Sequence, residues 1–117
     1  MLFRSTAVAE LRAAIDAGLD EQYVASAHGL LGAALEQQGQ MRDAADAYLL
    51  AADAAWYPFL AAEYLQDAAR TLVAASDTAR AVEVYERLLR DHPDSPSAVE
   101  GRERLAELQP SSAPSGS

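Results

Sequence analysis

The side chains able to do chemistry in this sequence are two histidines and eighteen carboxylates, and there is no cysteine. Neither His28 nor His92 has a second ligand at the spacing that a metal site requires. The lack of cysteine excludes disulfides and thiolate metal ligands. With eighteen carboxylates some pairs must lie close together by chance, so a pair alone does not indicate general acid-base catalysis. We therefore predict no metal site and no catalytic residue.

Sequence motifs of common enzyme and cofactor sites are also absent. The chain has no glycine-rich phosphate loop, no nucleophile elbow and no zinc-protease helix motif. An active site would have to be assembled without any recognisable part. We predict a protein that is not an enzyme and holds no cofactor, and an enzyme stays the third interpretation.

The charge balance narrows the class of partner. The nine positive charges are all arginine, and the net charge is -9. A field of that sign repels a phosphate backbone or an anionic membrane surface. The most apolar window, residues 44–62, is interrupted by Asp46, Asp53 and Pro58, which disfavours a transmembrane span. We predict a soluble chain that binds another protein or a peptide, in a cytoplasmic or a periplasmic compartment.

The composition favours helices. Alanine supplies 27 residues and has the highest helix propensity, and Pro58 is the one proline between residues 7 and 75. Residues typical of strands are few. The sequence therefore predicts an all-α fold whose core depends on close packing of small side chains.

Apolar residues recur at intervals of three and four in six segments, which predicts about six helices. The expected helices cover about residues 6–17, 20–38, 41–55, 58–75, 78–90 and 96–108. Ser97 followed by Glu100 predicts a capping box at the start of the last helix. On the fifth helix, we expect Glu83 to pair with Arg87 and Glu86 with Arg90. Proline, serine and glycine in residues 109–117 predict a flexible tail.

One inter-helix junction concentrates aromatic residues. Trp56, Tyr57 and Phe59 surround Pro58 and include three of the eight aromatic side chains. Because aromatic residues are enriched at interface hot spots, the junction could dock a partner. The interpretation we favour is that it folds back and fills a gap between hairpins, since an alanine-rich core leaves space to fill.

Two stretches repeat one pattern of small, leucine and aromatic residues. In the first, His28, Leu31, Gly32 and Leu35 precede Ala44, Tyr48 and Ala51, and in the second, Leu65, Ala68, Ala69 and Leu72 precede Ala81, Tyr85, Leu88 and Pro93. This pattern resembles the tetratricopeptide repeat. The two stretches are 37 residues apart where the family period is 34, which indicates about three inserted residues near the aromatic junction. Small residues at matching positions predict close crossing of paired helices.

The resemblance implies a fold and a function. It implies stacked antiparallel helical hairpins in a right-handed α-solenoid, with one domain over residues 1–108, repeats at about 21–56 and 58–93, and flanking helices. It also implies a scaffold that binds a partner segment in a concave groove formed by the first helix of each hairpin. The expected groove residues are Ser26, Gly29, Ala33, Gln37, Glu63, Gln66, Arg70 and Ala74.

Two further interpretations remain open at this stage. The first helix exposes a face of Val8, Leu11 and Ile15 that needs a neighbour, so the chain could self-associate or be part of a longer solenoid. The turn at residues 91–98, Asp-His-Pro-Asp-Ser-Pro-Ser-Ala, is similar to repeats in bacterial envelope-assembly proteins. Such proteins bind clients or assembly partners and catalyse nothing.

Overall fold

The computed structural model describes the backbone of residues 2–109 and the side chains of residues 6–109. Within these residues every regular element is an α-helix, which confirms the predicted all-α class. The six helices are α1 (Leu2–Ala17), α2 (Glu21–Gln37), α3 (Met41–Ala54), α4 (Pro58–Ala74), α5 (Thr78–Asp91) and α6 (Pro96–Leu108). Of the expected tail, only Gln109 lies within the described residues.

Each helix packs against the next one along the chain, and α4 also packs against α6. The loops between them have three or four residues, and such short connections require antiparallel neighbours. The loops α1–α2, α3–α4 and α5–α6 therefore lie on one edge of the stack. The other two loops lie on the opposite edge. No helix in the described part of the chain is long and apolar enough to cross a bilayer.

The apolar face of α1 is covered within the chain. Val8 is buried, and Leu11 and Ile15 pack against the same hydrophobic cluster. The neighbour that this face requires is α2 of the same chain, because α1 packs against α2. This face gives no reason for self-association.

Backbone conformations explain where the helices stop. Gly18 and Gly39 have φ angles of 94° and 80° after the ends of α1 and α2, in a region where only glycine is free of strain. Ser76 takes the same region with φ of 62° after α4. Asp77 then caps α5 by accepting a hydrogen bond from the Arg80 backbone amide at 3.4 Å.

The predicted capping box at the start of α6 is wrong by two residues. The N-cap is Ser95, whose Oγ accepts a hydrogen bond from the Ala98 amide at 3.1 Å. Pro96 occupies the first turn, where its missing N–H costs nothing. Ser97 is consequently inside the helix and buried.

Small side chains lie where paired helices cross, as the sequence predicted. Gly32 is buried, and a Cβ there would lie 2.8 Å from Cδ1 of Tyr48. Ala44, Ala69 and Ala81 have no exposed surface. The ring of Tyr48 therefore packs directly on the α2 backbone, and any larger residue at position 32 would displace it.

Neither of the pairs predicted on α5, Glu83–Arg87 or Glu86–Arg90, is found in the described residues. Arg87 donates to Asp53 of α3 at 2.7 Å and lies 3.6 Å from Asp91. Arg80 reaches Asp46 of α3 at 3.0 Å. The arginine side chains extend across to α3, where carboxylates two helical turns apart face them. These half-exposed pairs stabilise the stack by no more than about 1 kcal/mol each.

Candidate protein-binding surface

The face of α2 that turns away from α1 and α3 carries an exposed stripe. Its residues follow one another at intervals of three and four, which places them on one side of the helix. They are Tyr23, Ser26, Leu30 and Gln37, which are exposed, and Ala33, which is partly buried. Three of them were expected from the sequence, but Leu30, with 60% of its surface exposed, and Tyr23 were missed. Their spacing from Ser26, Ala33 and Gln37 was the signal that could have identified them.

Gly29 differs from the expectation that it faces the groove. It is buried, and a Cβ on it would lie 2.6 Å from Cε1 of Tyr64 in α4. The missing side chain therefore lets α2 approach the Tyr64 ring. Gly29 contributes to the contact between hairpins and offers no surface to a partner.

The equivalent face of α4 carries the other expected groove residues. Glu63, Arg70 and Ala74 are exposed, and Gln66 is partly exposed. Val73 follows Arg70 by three residues and exposes 40% of its surface, which the sequence reading did not anticipate. We call the exposed faces of these two helices together the groove, and small, apolar and charged side chains line it.

A polar cluster connects α2 to α4 at one end of the groove. Both oxygens of Glu36 accept hydrogen bonds from the Arg70 guanidinium, and Glu36 Oε1 also accepts one from the Tyr48 hydroxyl at 3.0 Å. Arg70 also lies 3.3 Å from Asp67. Its charge is thus shared between two carboxylates. Arg70 positions the two hairpins and is not free to bind an anionic group of a partner.

The cluster changes the acidity of its carboxyl groups in opposite directions. Hydrogen bonding from Arg70 lowers the pKa of Glu36 below its ordinary value. Burial raises the pKa of Asp67, although Arg70 opposes that shift. Burial and the hydrogen bond to Glu36 raise the pKa of Tyr48. Glu36 therefore remains ionised at neutral pH and holds Arg70 and Tyr48 in place.

A recess of about 200 Å³ extends the groove between α4 and α6. Among its lining residues, Arg104 lies 3.1 Å from Glu107 and 3.9 Å from Glu100. Val73 and Leu108 supply its apolar wall. The recess has room for one side chain, and its two carboxylates are balanced by its two arginines.

The two histidines do not form a site together. His28 lines a recess between α1, α2 and α3, and its Nδ1 is buried with no hydrogen-bond partner. In the described part of the chain, no three histidine or acidic residues are grouped so that they could hold a metal ion.

The aromatic junction does not fill a gap between hairpins, so the interpretation favoured from the sequence is wrong. Trp56 and Tyr57 each expose 63% of their surface, and Phe59 exposes 59%. The junction itself has only three loop residues, and α4 begins at Pro58. At 17 residues, α4 is as long as α2, its counterpart in the first hairpin. The rings therefore lie outside the core at the start of a helix of unchanged length.

Stacked antiparallel helices with small residues at their crossings define a helical-hairpin repeat protein. The family model for the tetratricopeptide repeat matches residues 62–108, which cover most of α4 and all of α5 and α6. This part of the chain is similar to the tetratricopeptide repeat. The bacterial envelope subtype stays a prediction. No curated protein and no solved structure matches the chain.

Proposed function

We propose that this protein is a scaffold that binds a segment of another protein along the groove and performs no catalysis itself. The observation that carries the proposal is the exposed stripe of α2, where Tyr23 and Leu30 present large apolar side chains beside small neutral ones. Val73 continues the apolar character on α4. Large apolar residues that recur on one exposed face are typical of interaction sites.

The groove favours a helix or an extended segment with apolar side chains and positive charge. Its width is set by Ser26 and Ala33, which leave room for a partner backbone. Glu63 and Asp67 lie on the same face, and Arg70 is already paired. A partner with an acidic terminus would therefore meet repulsion.

The test is selection of displayed random peptides on the immobilised protein, followed by titration of the selected peptides. Leu30→Ser should weaken binding about tenfold or more if Leu30 contacts the peptide. Leu50→Ser is the matched control, because Leu50 is a leucine of similar exposure, 52%, on α3 outside the groove. Equal affinity of both variants and the original chain for all selected peptides would place binding elsewhere.

Arg70→Glu is a poor test of the same surface. The change would remove the hydrogen bonds to Glu36 and set three carboxylates side by side. Loss of binding would then reflect separated hairpins. Gln66→Ala avoids this difficulty because Gln66 has no part in the cluster.

A further inference from the structure

The aromatic junction, formed by Trp56, Tyr57 and Phe59, is an apolar surface that the fold does not require. The Tyr57 and Phe59 rings are 6.2 Å apart between centroids and tilted by 34°. Tyr57 is the N-cap residue of α4 but makes no side-chain capping bond. Full burial of a large aromatic side chain stabilises a protein by about 1.5–3 kcal/mol, and these rings, 59–63% exposed, obtain only part of it. Three largely exposed aromatic residues within four positions indicate a role outside folding.

Trp56 separates two recesses on the edge of the stack that contains the α1–α2 loop. One recess, of about 320 Å³, lies between the start of α2 and the junction and is lined by Gln22, Ala25, Ser26, Trp56, Tyr57 and Leu60. The other, of about 430 Å³, has Val24, Ala54 and Ala55 as its apolar wall. An apolar side chain of a partner could enter either recess and cover one side of the indole ring.

The charged side chains that line the two recesses beside Trp56 are acidic. Glu21 and Asp53 line the larger recess, and no arginine lines either one. Asp53 uses Oδ1 for Arg87, and no ion pair of Glu21 is found in the described residues. A cation at this point would interact with both carboxylates and with the face of the indole ring.

The same charges argue against two other occupants. A second copy of this chain has a net charge of -9 and would bring further carboxylates to this surface. An anionic membrane would be repelled for the same reason. The complementary surface is therefore cationic and apolar together.

We propose that the aromatic junction is a second docking surface, next to the groove, for a basic segment of another protein. An apolar side chain of that segment fills the recess beside Trp56 and Leu60. An arginine or lysine next to it lies against Trp56, Glu21 and Asp53. Ser26 lines this recess and also belongs to the groove, so the two surfaces meet there, but neither Leu30 nor Val73 lines either recess.

Trp56 is the only tryptophan of the chain and reports directly on this surface. Displayed random peptides are selected on the protein after removal of those that bind the variant with Trp56→Ser, Tyr57→Ser and Phe59→Ser combined. The selected peptides should combine arginine or lysine with large apolar residues. Their addition should shift the Trp56 fluorescence to shorter wavelength, because binding removes the indole from water.

Matched variants separate this surface from the groove. Glu21→Gln combined with Asp53→Asn should weaken the selected peptides by about tenfold, since two charge contacts are lost. Leu30→Ser should leave both the affinity and the fluorescence shift unchanged. If the triple aromatic variant fails to fold, Trp56→Ser alone is used with a fluorescently labelled peptide.

Four results would overturn the proposal. If depletion on the triple variant removes every peptide that binds the original chain, no specific docking occurs at the junction. Selection of acidic or uncharged peptides would contradict the charge argument. A fluorescence shift with phosphatidylcholine vesicles but not with peptides would assign the surface to membranes. Loss of peptide binding in Leu30→Ser alone would return all binding to the groove and leave the proposed function intact.

Discussion

The α3–α4 and α5–α6 junctions lie on the same edge of the stack and differ in how they use their residues. At α5–α6, Ser95 caps the helix and also donates to the His92 carbonyl, while Arg102 donates to the Pro93 carbonyl. At α3–α4, Pro58 starts the helix without a side-chain cap, and aromatic rings extend into solvent. Trp56 holds the position that Pro93 holds one repeat later.

The difference separates side chains that stabilise the fold from those that do not. The α5–α6 junction satisfies its backbone groups with its own polar side chains, so its sequence is explained by folding. The α3–α4 junction leaves three large apolar side chains exposed, so its sequence needs another explanation. Substitutions at the two junctions should therefore differ in their effect on stability.

The largest expected effect is from Leu88→Ala, beside the α5–α6 junction. Leu88 is fully buried and lies near Gly101 of α6, where a Cβ would be 3.0 Å from Cδ2 of the leucine. Leu88 corresponds to Ala51 of the first hairpin, so the change places alanine at this position in both hairpins. It should lower the free energy of unfolding by about 2–5 kcal/mol. Urea denaturation measures the loss. A decrease no larger than that of Leu50→Ala, an exposed control, would contradict this packing.

Glu36→Gln should have the next largest effect, about 1–3 kcal/mol, because Glu36 accepts charge-assisted hydrogen bonds between the hairpins. Since the pKa of Glu36 is lowered on folding, its stabilisation is present above the ordinary value of 4.5. It disappears as the pH falls through the lowered pKa. The stability difference between Glu36→Gln and the original chain should therefore be largest at neutral pH. Glu83→Gln, an exposed control on α5, should lower the free energy of unfolding by less than Glu36→Gln at neutral pH.

Ser95→Ala should lower the free energy of unfolding by about 1 kcal/mol, because the Ala98 amide loses its capping partner. Thermal unfolding followed by circular dichroism measures this change. Ser95→Asp restores an acceptor at the same position and should recover most of the loss. A neutral Ser95→Ala would mean that water caps the helix equally well.

Trp56→Ser should have the smallest effect, within about 0.5 kcal/mol, since the ring is exposed and makes no packing contact that folding needs. The same thermal measurement compares its loss of stability with that of Ser95→Ala. Destabilisation by more than Ser95→Ala would show that Trp56 stabilises the hairpins, and the contrast between the junctions would then fail.

The repeat pattern predicted the class of fold because small residues at crossings leave a clear record in the sequence. Gly32 and Ala44 could be assigned to helix crossings from their spacing alone. The caps were harder, since Ser95 and Ser97 are both plausible and only the position of Pro96 in the first turn distinguishes them. The α5 arginines were misassigned because partners on another helix cannot be read from i,i+4 spacing.

The groove was predicted in outline and not in detail. Helical periodicity placed Ser26, Ala33 and Arg70 on exposed faces, but the pairing of Arg70 with Glu36 depends on how the hairpins stack. Gly29 was wrongly assigned to the groove because the residue it packs against, Tyr64, is 35 residues away in the sequence. The exposure of the aromatic junction could not be predicted from the sequence either, because apolar residues near the start of a helix can be buried or exposed.

Most ion pairs between the two hairpins run in one direction. Of the four found in the described residues, one, Arg42–Asp77, has its arginine on the first hairpin. In the other three, the first hairpin supplies the carboxylate and the second the arginine: Glu36–Arg70, Asp46–Arg80 and Asp53–Arg87. The two hairpins are 37 residues apart in sequence, so the positions of the first hairpin that correspond to these three arginines are Ala33, Asp43 and Leu50. Two stacked copies of the first hairpin would therefore form none of these three ion pairs. Asp46 of one copy would instead face Asp43 of the other. The order of the hairpins is specified by charge as well as by shape, and a tandem duplication of the first would stack poorly.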